Sequence, residues 1–317
     1  MNSFYFKILF ILTLFCVFTS CTKQEAIQFQ SYSVLTKDEL TGIYFASPDI
    51  AYAVGGNTWL RGIICKTTDG GQNWKIDSVF DKELFCISGR ESGLVIGMGI
   101  ELMFHAITPT TITTHKLKHA GSFKFVRGVS VFNADLMLAV NGNGTGSIEK
   151  FSIHSDTTRT ILELDHELNA IQFIDSLHWI AVGYGIVLRS VDAGEHWDTL
   201  DIRGDQFLDI SKTDQGNLFF LGAGGSVYRS NDKGATFENI KSGGIISNNP
   251  PMRAICFINE TKGIIAGENS SAYITRDGGS EWIQLEGLPD FDIKDIFYDG
   301  DLFWLCGSMG TIISLKI

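Results

Sequence analysis

The sequence predicts an all-β fold, a seven-bladed β-propeller of four-stranded blades whose last blade is closed by an N-terminal strand. Three observations carry that prediction. A signature Ser/Thr-x-Asp-x-Gly-x-x-aromatic occurs without gaps at residues 67–74, 190–197, 230–237 and 275–282. Its aspartates, Asp69, Asp192, Asp232 and Asp277, are 123, 40 and 45 residues apart, and 123 is close to three periods of 41. A second column, of Ile or Val after a small residue, falls at Ile43, Ile87, Val129, Ile171, Ile210, Ile255 and Ile296, with spacings of 44, 42, 42, 39, 45 and 41. Finally, each period divides into four short β-rich runs bounded by Gly, Asp and Asn, with no sustained helical periodicity. Four strands per unit of this length, repeated radially, is the arithmetic of a propeller.

Taken in order, residues 1–20 read as a signal segment. Lys7 is the early charge, and the apolar run 8–18 is too short to cross a bilayer as a helix. It leads into Phe18-Thr19-Ser20-Cys21, which resembles a bacterial lipobox with Cys21 as the lipidated residue, although Phe18 stands where Leu is usual. Residues 21–26 read as a polar tether and 27–317 as the propeller. Blade one is expected to use 41–45, 51–55, 62–67 and 74–79, and blade four 168–174, 179–183, 186–190 and 197–202. The last unit offers three strands, 294–298, 302–307 and 311–317, before the chain stops. An unpaired edge would remain, so the spare strand 27–35 is expected to close it.

The composition agrees with a folded, acidic body. The chain has 44% hydrophobic residues, and 34 Gly against 5 Pro suit many tight turns. The formal net charge is −11, and it becomes −12 once Lys7 leaves with the signal. Such a surface repels nucleic acid and anionic membrane alike, so a lipid is the expected route to a membrane. The expected location is the cell envelope, periplasmic or surface-exposed, with the protein monomeric. Cys65, Cys86, Cys256 and Cys306 lie far apart in apolar runs without CxxC pairing, which argues against a metal. Buried free thiols are one reading of them, and a disulfide in an oxidising compartment is the other.

The four signatures resemble Asp-box (BNR) repeats. The spacing around them is similar to that of the photosystem II stability/assembly factor-like family. Gly42-Ile43-Tyr44-Phe45, Ala53-Val54-Gly55 and residues 65–74 follow its blade pattern, and residues 181–197 repeat it. The resemblance extends over 37–317. It implies that each box closes the hairpin between the third and fourth strands, with Asp69, Asp192, Asp232 and Asp277 holding turn amides. It also implies that Trp74, Trp197, Phe237 and Trp282 pack between blades. Asp-box proteins include sialidases, but the Arg-Ile-Pro motif of that chemistry is missing from this sequence.

Two functional readings follow from the inner strands. One residue before each small position runs a column of Thr41, Phe85, Arg127, Asn169, Leu208, Arg253 and Lys294, expected to ring the mouth of the channel. Arg127, Arg253 and Lys294 would focus positive potential there. Loops between second and third strands add Trp59, Arg61, Asn141, Asn143, Tyr184, Glu268 and Asn269 on the same face. Aromatic, Arg and amide groups favour recognition of a protein, peptide or anionic partner by a non-catalytic assembly scaffold. The rival reading takes Asp209 and Asp295, two carboxylates in the small-residue column, as the acid/base pair of a carbohydrate-active hydrolase. Neither reading requires a cofactor. His115 and His119 do not converge on a strand, and the Gly-rich stretches 141–146 and 224–225 read as hairpin turns.

Overall fold

The computed structural model describes residues 23–90, 95–100, 103–116, 124–132, 135–142, 144–152, 155, 157–200, 202, 206–243 and 250–317. The signal segment and Cys21 lie outside the described residues, as do Asn143 and His119. In chain order β1 (Gln24–Ala26) and β2 (Phe29–Ser33) come first. Antiparallel meanders follow: β3 (Glu39–Phe45), β4 (Ala51–Asn57), β5 (Arg61–Thr67) and β6 (Lys75–Phe80), then β7 (Leu84–Gly89), β8 (Val95–Gly99), β9 (Met103–Ile107) and β10 (Ile112–Lys116). The next are β11 (Phe125–Phe132), β12 (Asp135–Gly142), β13 (Thr145–Ser152) and β14 (Thr157–Leu164), then β15 (Leu168–Phe173), β16 (Trp179–Gly183), β17 (Ile186–Ser190) and β18 (Asp198–Leu200). The series ends with β19 (Phe207–Lys212), β20 (Leu218–Gly222), β21 (Val227–Ser230) and β22 (Glu238–Lys241), β23 (Met252–Phe257), β24 (Gly263–Gly267), β25 (Ala272–Thr275) and β26 (Ile283–Glu286), and β27 (Ile293–Tyr298), β28 (Phe303–Gly307) and β29 (Thr311–Leu315). One 3-10 turn, Ser308–Gly310, and no α-helix occur among the described residues.

The architecture is an all-β propeller of four-stranded blades. Six sheets hold four strands each, one of them β2-β29-β28-β27, in which β2 pairs antiparallel with β29 from Phe29 opposite Leu315 to Ser33 opposite Thr311. The sheet β23 to β26 carries β1 as a fifth strand. Inner strands touch in the order β3, β7, β11, β15, β19, β23, β27 and back to β3, so the sheets surround an axis.

The reading of uniform four-stranded blades, with 21–26 a bare tether, therefore needs a correction. Residues 24–26 form a strand, parallel to β26, with Gln24 opposite Gln284 and Ala26 opposite Glu286. The cause is the neighbour: β26 is the last strand of its meander and would leave an open edge. Ion pairs Lys23–Glu281 at 3.0 Å and Arg276–Glu25 at 2.8 Å flank the contact.

Packing explains the sequence pattern. Second strands such as β16, β20, β24 and β28 are buried at every position, because both faces meet other sheets, and so read as continuous apolar runs. The outer strand β6 alternates exposed and half-buried positions instead. Second strands carry a glycine at or near their end, where the chain crosses the start of the inner strand. A Cβ on Gly55 would sit 1.9 Å from the Glu39 carbonyl oxygen, and one on Gly307 1.8 Å from that of Asp292. Between sheets, Phe45, Trp304 and Tyr32 form a continuous stack, with centroids 4.8 Å and 5.4 Å apart. Cys65, Cys86, Cys256 and Cys306 are free thiols.

The four signature hairpins share one geometry. In the first, the Thr67 hydroxyl donates to Asp69 Oδ1 at 2.8 Å, and the Asn73 amide donates to the same oxygen at 2.9 Å. Asp192, Asp232 and Asp277 accept the equivalent Ser/Thr hydroxyl and the amide four residues on. The His196 amide and ring hold the Asp192 carboxyl down at about 2. The aromatic at the end of each hairpin turns inward. Trp74 meets Phe45 and Trp304, Phe237 meets Phe220, Trp282 meets Phe257, and Trp197 packs on the Trp179–Leu188 cluster.

Candidate functional site

Every inner strand is bulged at the same place. The pairing of inner to second strand shifts register between Leu40 and Gly42, Leu84 and Cys86, Val126 and Gly128, and Leu168 and Ala170. It shifts again between Phe207 and Asp209, Met252 and Ala254, and Ile293 and Asp295. The residue skipped in each case is the one in the mouth column: Thr41, Phe85, Arg127, Asn169, Leu208, Arg253 and Lys294. A bulge leaves one residue outside the ladder and re-aims its side chain. All seven line one cavity of about 240 Å³, together with Asp209 and Asp295.

Their partners differ. The Thr41 hydroxyl donates to the Leu84 carbonyl at 2.9 Å and Asn169 Nδ2 to that of Phe207 at 2.7 Å, so both stitch one blade to the next. Arg253 pairs with Glu268, Nε to Oε1 at 3.0 Å, and Lys294 with Glu39 at 2.7 Å. Arg61 is likewise held by Asp38 at 2.9 Å. The expectation of three cations focusing one potential is thereby corrected, since two of them are neutralised by carboxylates. Arg127 makes no direct ion pair among the described residues, although its charge acts on the carboxyl of Glu83. Its guanidinium lies 4.6 Å from the Phe85 centroid and 5.8 Å from that of Phe125.

The loop residues also separate. Trp59 is 56% exposed and its ring meets Phe125 at 5.7 Å. Tyr184 is exposed on the hairpin between β16 and β17. Asn141 is buried and spends both ends of its amide on Leu168, accepting from its N–H at 2.7 Å and donating to its carbonyl at 2.5 Å. The Asn269 backbone amide donates to Asp292 at 3.0 Å, and Glu268 is taken by Arg253. Sequence reasoning missed Phe125, Glu39 and Glu83. Phe125 opens β11 two residues before Arg127, and that spacing was the available signal.

Asp209 and Asp295 are fixed to backbone. Asp209 Oδ1 accepts the Ile210 amide at 2.8 Å and Oδ2 the Ile255 amide of the next blade at 2.9 Å. Asp295 accepts the Ile296 and Ile43 amides, both at 2.8 Å. Burial pushes Asp209 up to about 6, and burial together with the charge of Asp209 pushes Asp295 up to about 7. With one oxygen of each carboxylate held by its own strand and the other by the next blade, the geometry gives the acid/base reading no support.

No family model matches the sequence, and no curated protein sequence matches it significantly. Solved structures do match its fold. A structure of YCF48 bound to D1 peptide is 16% identical with a TM-score of 0.73, covering 93% of this chain and 99% of that one. YCF48 from Cyanidioschyzon merolae is 15% identical with a TM-score of 0.69, covering 91% and 98%. A selenomethionine-substituted virginiamycin B lyase from Staphylococcus aureus is 13% identical with a TM-score of 0.67, covering 92% and 99%. The class that emerges is a β-propeller. A peptide-bound protein and a lyase share it, so fold alone does not choose between binding and catalysis.

Proposed function

We propose that this chain is a seven-bladed propeller acting as a monomeric, non-catalytic binding or assembly scaffold, whose mouth-side face engages a protein or peptide. The observation that carries this reading is the recurrent bulge, which sends one side chain per inner strand into a single shared cavity. The similarity to YCF48 bound to D1 peptide supports a peptide as the class of partner. The signature hairpins are Asp-boxes of a photosystem II assembly factor-like propeller, with structural aspartates. Residues 1–20 are a signal peptide, and a lipid on Cys21 holds the protein in the cell envelope. Two measurements test this. Cys21→Ser is expected to move the protein from the membrane to the soluble fraction. Glycan turnover present in the wild type and lost in Asp209→Asn/Asp295→Asn would overturn the scaffold in favour of a hydrolase.

A further inference from the structure

The mouth is not chemically uniform. Among the cations placed there, Arg253, Lys294 and Arg61 face Glu268, Glu39 and Asp38, whereas Arg127 is exposed and has its guanidinium 4.6 Å from the Phe85 centroid. Next to it Phe85 and Phe125 meet edge to face at 6.1 Å, and Trp59 extends the same aromatic surface outward. The next residue, Leu60, is also exposed, at 72%. Blades one to three thus share a shelf of aromatic area ending in a guanidinium that makes no direct ion pair among the described residues, with the Glu83 carboxyl the acidic group whose charge it acts on.

The shelf is held at a conformational cost. Thr58 and Trp59 have φ of 51° and 65°, a left-handed conformation that a bulky aromatic rarely adopts. Two hydrogen bonds to Glu83 fix it: the Trp59 amide donates to Glu83 Oε2 at 2.9 Å, and the Glu83 amide donates to the Trp59 carbonyl at 3.4 Å. Strain of this kind persists where surrounding structure imposes it, and here it holds a largely exposed indole against the Phe125 ring. Ligand chemistry follows from the inventory. A polyol would need free amide or carboxylate partners, but Asn141, Asn169 and Glu268 are already used. A carboxylate beside an apolar side chain matches what remains.

We infer that Trp59, Phe85, Phe125 and Arg127 form a recognition subsite for an extended peptide carrying Asp or Glu next to an aromatic or aliphatic residue. This rests on the reading of the mouth-side face as a peptide-binding surface. The carboxylate pairs with the Arg127 guanidinium, and the apolar neighbour covers the Trp59 indole.

A random peptide display library selected on the wild-type protein tests it. Selected peptides are expected to carry an acid within two residues of Phe, Tyr, Trp, Leu or Met. Their binding is expected to weaken at least about tenfold in Arg127→Gln and in Trp59→Gly, and to change less than about twofold in Arg276→Gln/Glu25→Gln, an ion pair on an outer strand edge. Trp59→Gly removes the left-handed strain, so its Tm is expected to hold or rise while binding falls, which a merely structural tryptophan would not do. Peptides that bind both variants like wild type but fail on Arg253→Gln/Glu268→Gln would overturn the subsite and leave the peptide-binding face standing. A library yielding no peptide, alongside capture of neutral glycans on an array, would sink both.

Discussion

Asp209 and Asp295 occupy positions where other inner strands have Gly42, Cys86, Gly128, Ala170 and Ala254, and the neighbours explain the difference. At Gly128 a Cβ would lie 2.9 Å from the Ala170 Cα of the next blade, so no side chain fits. At Asp209 and Asp295 the carboxylate accepts the corresponding amide of the next blade, that of Ile255 or Ile43. These bonds tie blades together, but burial makes ionisation unfavourable and raises both groups to about 6 and about 7. A carboxyl whose folded pKa lies above its unfolded value adds stability that is full below the ordinary carboxylate range. That stability is lost as pH rises through the folded value. The double variant Asp209→Asn/Asp295→Asn lacks this titration. It also turns an amide N–H₂ toward a backbone N–H at each junction, so it is expected to be less stable than wild type at pH 5. The gap in Tm should narrow steadily toward pH 8, and thermal melts across that window would show it. A constant gap would mean that neither carboxyl titrates there.

Strands and hairpins were legible to different degrees. Blade one was read at 41–45, 51–55, 62–67 and 74–79, and the strands found there are Glu39–Phe45, Ala51–Asn57, Arg61–Thr67 and Lys75–Phe80. Buried second strands announce themselves because both their faces are apolar, and the signature hairpins because their hydrogen bonds are local. The turn after β9 lacks the signature and closes through the Thr108 and Thr111 hydroxyls at 2.7 Å, a solution without a repeating pattern to detect. β1 was illegible for another reason. Nothing in Gln24-Glu25-Ala26 favours a strand, and its pairing comes from the free edge of β26. The mouth column could be placed from its spacing, but charge pairing could not, since Glu39 reaches Lys294 only when the ring closes and Glu268 meets Arg253 only across the paired β23–β24 hairpin. Within the hairpins, Asp232 gathers the Ser230 and Thr236 hydroxyls and the Ala235 and Thr236 amides. Asp232→Ala is expected to cost roughly 1 kcal/mol, because water replaces most of those partners. Urea denaturation would measure it, with the m-value unchanged.

At the scale of the whole molecule, stability depends on closing a ring whose last sheet is completed by the first part of the chain. β1 and β2 form one nearly continuous extended stretch, adding first to β26 in parallel and then to β29 in the antiparallel sense. The two additions are unequal. β1 covers an outer edge with three residues and two exposed ion pairs, each contributing little. β2 supplies five residues of ladder, the Tyr32 ring stacked on Trp304, and the Phe29 side chain packed against the cluster that holds Leu315. Without it β29 presents an open apolar edge, and the blade with the most sequence-distant strands loses its clasp. A chain beginning at Ile27 is therefore expected to stay folded and monomeric, with Tm lowered by only about 2–4 °C. A chain beginning at Val34 is expected to lose its cooperative transition or to self-associate through β29. Circular dichroism melts with size-exclusion chromatography would distinguish the two. Equal stability of both chains would mean that the ring is held by sheet-to-sheet packing alone, and that β2 merely occupies an edge it does not secure.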